Sequence, residues 1–289
     1  LDMLKQKELE LRDVVQKTID KAKQQGADEV FVSTSYGVQS KIAFEKGDYN
    51  LATRHEGEGL TITVHKNKSC GCASINALDP DLLDDAIDKA LHLAKHSVPD
   101  EFISLAPKAI YPTLDLPTDP ALAEMTMDAL VQLTEGFVSK CLESEKISID
   151  SASVEQSSGV RIIANSNGML ATEQHNGLNW SVMGMAIDDD DITSFDYMGD
   201  HSLILDNCAQ KMNESAERFS QKLLQALGAK NGKSYCGKVL LCPALVEELL
   251  LDPLIYHIMG SNIMDEKSRW ADAIGTSITN SAITLEDHP

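Results

Sequence analysis

The chain has 289 residues, enough for two or three domains with a sizeable core. A hydrophobic content of 43% is that of a globular protein and excludes a disordered chain. Lys plus Arg number 25 against 45 Asp plus Glu, a formal net charge of −20, so a phosphate backbone is repelled and nucleic acid is not an expected partner.

Residues 5–25 predict a helix with Leu11, Val15, Ile19 and Ala22 on one face and Gly26 as its stop. Five short strands are expected between Asp28 and Asn76. The clearest is Leu60–His65, whose apolar and polar residues alternate as on a sheet with one wet face. His65 falls with the threonines on the polar side and reads as exposed. Asp79-Pro80 is a cap-plus-proline start for a helix that buries Leu83, Ile87, Leu91 and Ala94.

Residues 97–119 carry Pro99, Pro107, Pro112 and Pro117 without periodicity and read as a linker. Asp119-Pro120 then opens a helix burying Ala123, Met127, Val131, Thr134, Val138 and Cys141. Strands are expected over 147–199, with Asn167-Gly168 as a tight hairpin turn. A helix follows from about Asp206 to Leu227 and stops at Gly228.

These blocks read as one unit used twice. Asp28–Val38 (DEVFVSTSYGV) matches Asp150–Val160 (DSASVEQSSGV), Leu51–Thr53 matches Leu170–Thr172, and Gly59-Leu60-x-Ile62-x-Val64 matches Gly177-Leu178-x-Trp180-x-Val182. The fold class is therefore α+β: two similar helix–antiparallel strands–helix units, packed sheet to sheet or side by side, and then a further domain. The expected boundaries are 1–110, 111–232 and 233–289.

Few residue patterns offer chemistry. Cys141, Cys208, Cys236 and Cys242 lie in or beside apolar stretches and read as buried, reduced thiols of a cytoplasmic protein. Cys70 and Cys72 share one strand face but lack a second pair for zinc. No secretory leader pattern is visible, and no run reaches the roughly 20 apolar residues of a membrane span, so no membrane partner is expected. Gly228–Ser234 (GAKNGKS) is one residue short of a phosphate loop and follows a helix, so it reads as a cap and turn. Asp188–Asp191 lacks the spacing of a calcium loop and reads as an acidic hairpin tip. His92 and His96 have the i, i+4 spacing of metal ligands, with no clear third group.

The stretch Pro243–Ile263 (PALVEELLLDPLIYHIMGSNI) is the most apolar helical segment. It is interrupted by Glu247, Glu248, Asp252 and Pro253 and ends in Gly260-Ser261-Asn262. Asp252 and His257 are about 140° apart on a regular helix and do not make a site by themselves.

Residues 27–95 (ADEVFVSTSYGV, EGEGLTITV, SCGCASIN and the DPDLLDDAIDKALHLAKHS helix), the central GVRIIANSNGMLA, and IMGSNIMDEKSRWADAIGTSI followed by ITLEDHP together resemble the TldD/PmbA family. These are cytoplasmic peptide-processing metalloproteases, also called modulators of DNA gyrase. The resemblance implies an α+β fold with a larger C-terminal domain, of which only the start matches here, so a truncated domain is expected.

In that family a TldD-type subunit carries H-E-x-x-x-H, whose histidines hold zinc while the glutamate activates water. Matched on the G-S-N and S-x-W landmarks, the motif falls on Leu251, Asp252 and Tyr256. The resemblance is thus to the PmbA (TldE) branch, which lacks the motif. It implies no catalytic or metal residue and no cofactor in this chain, with zinc in a TldD-like partner. It also implies assembly as a heterodimer with that subunit, or as a homodimer, acting on unfolded peptides. Gly260, Ser261 and Asn262 are candidates for a peptide groove. The alternative is a regulatory binding protein that modulates DNA gyrase without catalysis.

Overall fold

The structure, a computed structural model, describes residues 2–109 and 118–286. Of the expected linker, Pro112 and Pro117 lie outside the described residues, as do Asp287, His288 and Pro289. The chain divides into two compact units, Leu1–Ala229 and Lys230–Pro289.

The first unit begins with helix α1 (Asp2–Gln24), stopped by Gly26 at a φ of +94°, where a glycine is free of the Cβ clash. Strands β1 (Glu29–Glu45), β2 (Asp48–Lys66) and β3 (Ser69–Ile75) follow, then helix α2 (Pro80–His96). Asp79 caps α2 by accepting from the Asp81 N–H, with Pro80 in the first turn. The second half repeats the pattern. It consists of short α3 (Pro120–Ala123), α4 (Met127–Cys141), β4 (Ile147–Asn165), β5 (Leu170–Asp188), the two-residue β6 (Asp191–Ile192), β7 (Asp196–Ser202) and α5 (Cys208–Ala226).

Among the described residues the seven strands form one antiparallel sheet in the order β3-β2-β1-β4-β5-β6, with β7 also paired to β5. The two halves therefore join side by side, through the β1–β4 ladder. Gly37 pairs with Gly159 in that ladder, and both close the matched Gly-Val runs. Gly59 opposes Ser35 on β1 as Gly177 opposes Ser157 on β4, so the second matched run is in structural register. The Leu51–Thr53 match is not: Ile42 opposes Ala52, and its equivalent Ala164 opposes Leu170, one residue out of step.

Three strands stand where five short ones were expected between Asp28 and Asn76. Glycines 37, 57 and 59 each sit within a continuous ladder, so the strands run through them. The helix expected to run on from Pro120 breaks after Ala123. Thr126 there accepts from the Ala129 N–H and starts α4 afresh, and the broken turn buries Leu122 and Met125.

Alternation along the strands sends one face to the helices. Under α1 and α2 it buries Val30, Val32, Ile62, Val64, Val160 and Ile162 against Leu11, Val15, Ile19 and Ile87. Under α4 and α5 it buries Ile42, Val154, Leu178 and Trp180 against Leu130, Phe137, Met212, Phe219 and Leu223. Each such side chain contributes about 1.5–3 kcal/mol, so these two clusters hold the unit together. Trp180 Nε1 donates to Ser215 Oγ at 3.1 Å, satisfying the one polar atom of its ring. Between the clusters runs a polar seam of Ser40, Gln156 and Ser158.

Two expectations about single residues are overturned. His65 is buried, at 6% exposure, and its Nδ1 lies 3.0 Å from Glu29 Oε2. The linker accounts for this: Leu105 N–H donates to the same Glu29 oxygen, bringing chain over a strand end that the local pattern leaves wet. Cys236 and Cys242 are exposed, because residues 230–242 form no helix or strand to pack them, whereas Cys141 and Cys208 are buried.

Candidate functional site

The second unit contains the stretch singled out by sequence. It folds as α6 (Pro243–Val246), a π-helical turn (Glu247–Leu251), α7 (Asp252–Ile258) and α8 (Gly260–Met264). Pro253 lies in the first turn of α7 and lacks an N–H, and its ring crowds the carbonyl four residues back. A widened turn immediately before it relieves that clash, and the Asp252 N–H accordingly donates to the Glu247 carbonyl.

Leu251, Asp252 and Tyr256 straddle this junction. Leu251 is half-buried, while Asp252 and Tyr256 are exposed. They present one alkyl group, one carboxylate and one phenol, a set that does not fit a zinc ion wanting imidazole or thiolate donors. Among the described residues, no three His, Cys, Asp or Glu side chains converge in a way that could hold a metal.

His257 is the imidazole nearest in sequence, and it faces an aromatic wall. Its ring lies 5.0 Å from Trp270 and 5.2 Å, edge on, from Tyr256. Its Nδ1 is buried without a hydrogen-bond partner. Ser268, itself buried, donates from Oγ to the His257 carbonyl at 2.6 Å, and Asn262 Nδ2 donates to the Tyr256 carbonyl at 2.8 Å. Both bonds satisfy carbonyls that the end of α7 leaves without helical partners. Sequence reasoning used Ser268 and Trp270 only as alignment landmarks; the Ser-x-Trp spacing was the available signal for this support of His257.

Of the groove candidates, Gly260, Ser261 and Asn262 open α8. A Cβ added to Gly260 meets nothing within 4 Å, so that position is open. Asn262 is occupied in holding the Tyr256 carbonyl, and its own carbonyl accepts from the Lys267 and Ser268 N–H groups.

The remaining candidates lie in the first unit. His92 and His96 are exposed on α2 with ring centroids 4.6 Å apart. Asp188 pairs with Lys146, and Asp191 accepts from the Gly228 N–H, so the acidic tip is tied to the chain beside it. Gly228, at a φ of +74°, ends the last turn after α5 as a helix stop does. No described helix is long and apolar enough to cross a membrane.

With this geometry in place, comparison with known proteins gives a consistent set of relatives. No family model matches the chain. Over 224 residues it is 29% identical to a protein named metalloprotease PmbA homolog from Haemophilus influenzae, covering 73% of this chain and 49% of the relative. Over 266 residues it is 23% identical to metalloprotease PmbA from Escherichia coli O157:H7, covering 90% and 56%. The chain thus spans about half the length of the curated relatives it matches.

Among solved structures, TldE from Thermococcus kodakarensis matches with a TM-score of 0.62 at 21% identity, over 73% of this chain and 47% of that one. Proteins described as modulators of DNA gyrase match more fully. One from Thermotoga maritima has a TM-score of 0.77 at 16% identity, covering 93% of this chain and 60% of its own. One from Bacteroides thetaiotaomicron reaches 0.79 at 19%, covering 93% and 62%. These likenesses show the α+β fold.

Proposed function

Because the chain belongs to the TldD/PmbA family, in its PmbA (TldE) branch, we propose that it serves as a PmbA-like subunit of a cytoplasmic metalloprotease complex. In this reading a TldD-like partner holds the zinc and cuts, and this chain helps present unfolded peptide to it. One observation carries the proposal. Where the resemblance places the family's metal motif, the chain has Leu251, Asp252 and Tyr256, which lack the imidazoles that zinc and its activated water require. Gly260, open to solvent beside this helix, is the proposed start of a peptide-contacting groove.

The test is reconstitution. The chain is mixed with a TldD-like subunit and zinc, and co-elution and cleavage of an unfolded peptide are followed. Cleavage that needs both proteins, and survives Asp252→Asn, supports the reading. Absence of both co-elution and cleavage overturns it, as does stoichiometric zinc with full activity in the isolated chain.

A second reading, modulation of DNA gyrase without catalysis, is favoured by the descriptions of two structural relatives. A change in gyrase supercoiling on adding the chain, with no peptide cleavage in the reconstituted mixture, would select it.

A further inference from the structure

The dipeptide Asn-Gly occurs three times in the chain, at Asn167-Gly168, Asn176-Gly177 and Asn231-Gly232. Asparagine is among the thermolabile residues. Glycine has no Cβ to shield its backbone nitrogen, so that nitrogen can reach the side-chain carbonyl carbon of the asparagine before it. The fold gives the three copies different surroundings.

Asn176 lies within β5 and is 6% exposed. Its Oδ1 accepts from the Asp119 N–H and its Nδ2 donates to the Asp119 carbonyl, so both ends of the amide are held. Ladder pairing with β4 also keeps its backbone extended, whereas closing a ring onto Gly177 needs rotation about the Cα–C bond. Asn167, in the turn between β4 and β5, donates from Nδ2 to Glu29 Oε1 at 2.9 Å and to the Leu105 carbonyl at 3.3 Å. The Gly168 N–H that would attack it is spent on the Asn165 carbonyl at 3.1 Å.

Asn231-Gly232 belongs to the GAKNGKS stretch, and nothing holds it. Residues 230–236 form no helix or strand, and both members of the dipeptide are exposed. Among the described residues no hydrogen bond engages the Asn231 side chain or the Gly232 N–H, and a Cβ on Gly232 would meet nothing within 4 Å.

We propose that Asn231 is a site of spontaneous deamidation, the one Asn-Gly that the fold leaves free to react. The Gly232 nitrogen gives up its proton to hydroxide, bonds to Asn231 Cγ and expels the amide nitrogen as ammonia, closing a five-membered imide. Water then opens the imide. Attack at the Cγ carbonyl leaves aspartate; attack at the backbone carbonyl leaves isoaspartate, with one more methylene in the main chain. The net change consumes one water and releases one ammonia, and no oxidant or reductant is needed. Either product sets a carboxylate between Lys230 and Lys233 at the start of the second unit. The inference rests on local structure and is independent of the peptidase reading.

The test is incubation of the full chain at mildly alkaline pH, in buffer and in urea, followed by peptide mass spectrometry. The expected result in buffer is a gain of about 1 Da at Asn231, with the aspartate and isoaspartate peptides separated by chromatography. At Asn167 and Asn176 two side-chain hydrogen bonds must open first, so each should convert about tenfold or more slowly than Asn231. In urea the three rates should converge. Gly232→Pro, with no N–H to lose, should stop conversion of Asn231, and circular dichroism confirms that this variant is folded. Asn231 left unchanged in buffer overturns the proposal, as does conversion of all three sites at one rate in buffer. Product formed in folded Gly232→Pro also overturns it, because no N–H remains there to start the imide.

Discussion

Gly37 stands directly opposite Gly159, and the two are also equivalent residues of the duplicated halves. When equivalent strands run antiparallel and a residue faces its own counterpart, a pseudo-two-fold axis passes between them, normal to the sheet. The axis relates β2 to β5, β3 to β7, and the helix pair α1 and α2 to α4 and α5. The first unit is thus built as a fused, imperfect dimer.

The imperfection at this pair gives the first prediction. A Cβ on Gly159 would stand 2.7 Å from the Tyr36 carbonyl and 2.9 Å from the His175 ring, whereas one on Gly37 meets only the Ser158 carbonyl at 3.6 Å. Gly159→Ala should therefore cost about 1–3 kcal/mol. Gly37→Ala should be neutral or stabilise by up to about 1 kcal/mol, because alanine loses less chain entropy in a strand. Urea unfolding of the two variants checks the difference in sign.

Gln156 is 2% exposed, and its Nε2 has no partner in the seam between the two apolar clusters. A buried, unsatisfied amide costs about 1–3 kcal/mol, and methionine has similar volume without that need. Gln156→Met should raise the urea midpoint with little change in the slope. A fall in the midpoint would show that the amide is satisfied, for instance by an ordered water.

Acid sensitivity should concentrate at the linker. The Asn167 amide, ahead of His65 and the Leu105 N–H, holds the Glu29 carboxyl below its ordinary value of 4.5. A carboxylate whose folded pKa is depressed contributes stability above its unfolded pKa and loses it as the pH falls through the folded one. Between pH 5 and pH 3, Asn167→Ala should lose less stability than the parent chain, having started from a lower value at pH 7. Parallel loss in the two proteins would remove Glu29 from the account.

Thiol chemistry should divide by burial. Cys141 is fully buried, and desolvation pushes its thiol up to about 12; burial also raises that of Cys208. In the native protein a disulfide reagent at mild alkaline pH should modify the exposed Cys72, Cys236 and Cys242 and leave Cys141 and Cys208 intact, read by mass spectrometry. The sign for stability is the opposite of Glu29. Above the ordinary thiol value of 9.0 the unfolded chain ionises while native Cys141 keeps its proton, so stability falls with rising pH toward 12.

Much of the fold was legible. The helix periodicities of α1, α2 and α5, the Asp79-Pro80 and Asp119-Pro120 starts, the Gly26 and Gly228 stops and the Asn167-Gly168 turn are local signals, decided within a few residues by sterics and capping. The duplication was legible because two copies of one pattern preserve order. Errors arose where the deciding partner is distant. His65 is buried by a linker some forty residues away. Five short strands were expected where three long ones stand, because pairing with a neighbouring strand sets how far each one runs.

The candidate site follows the same division. By itself the sequence determined that Leu251, Asp252 and Tyr256 bring no imidazole or thiolate to that helix, because a ligand set is a matter of which side chains exist. Only the tertiary structure decided that Asn262 and Ser268 close the end of that helix, that Trp270 walls His257, and that the two halves share one sheet about the Gly37–Gly159 pair. The physical reason is range: propensity and chemistry act along the chain, whereas burial and strand register are set by residues that meet only when the chain has folded.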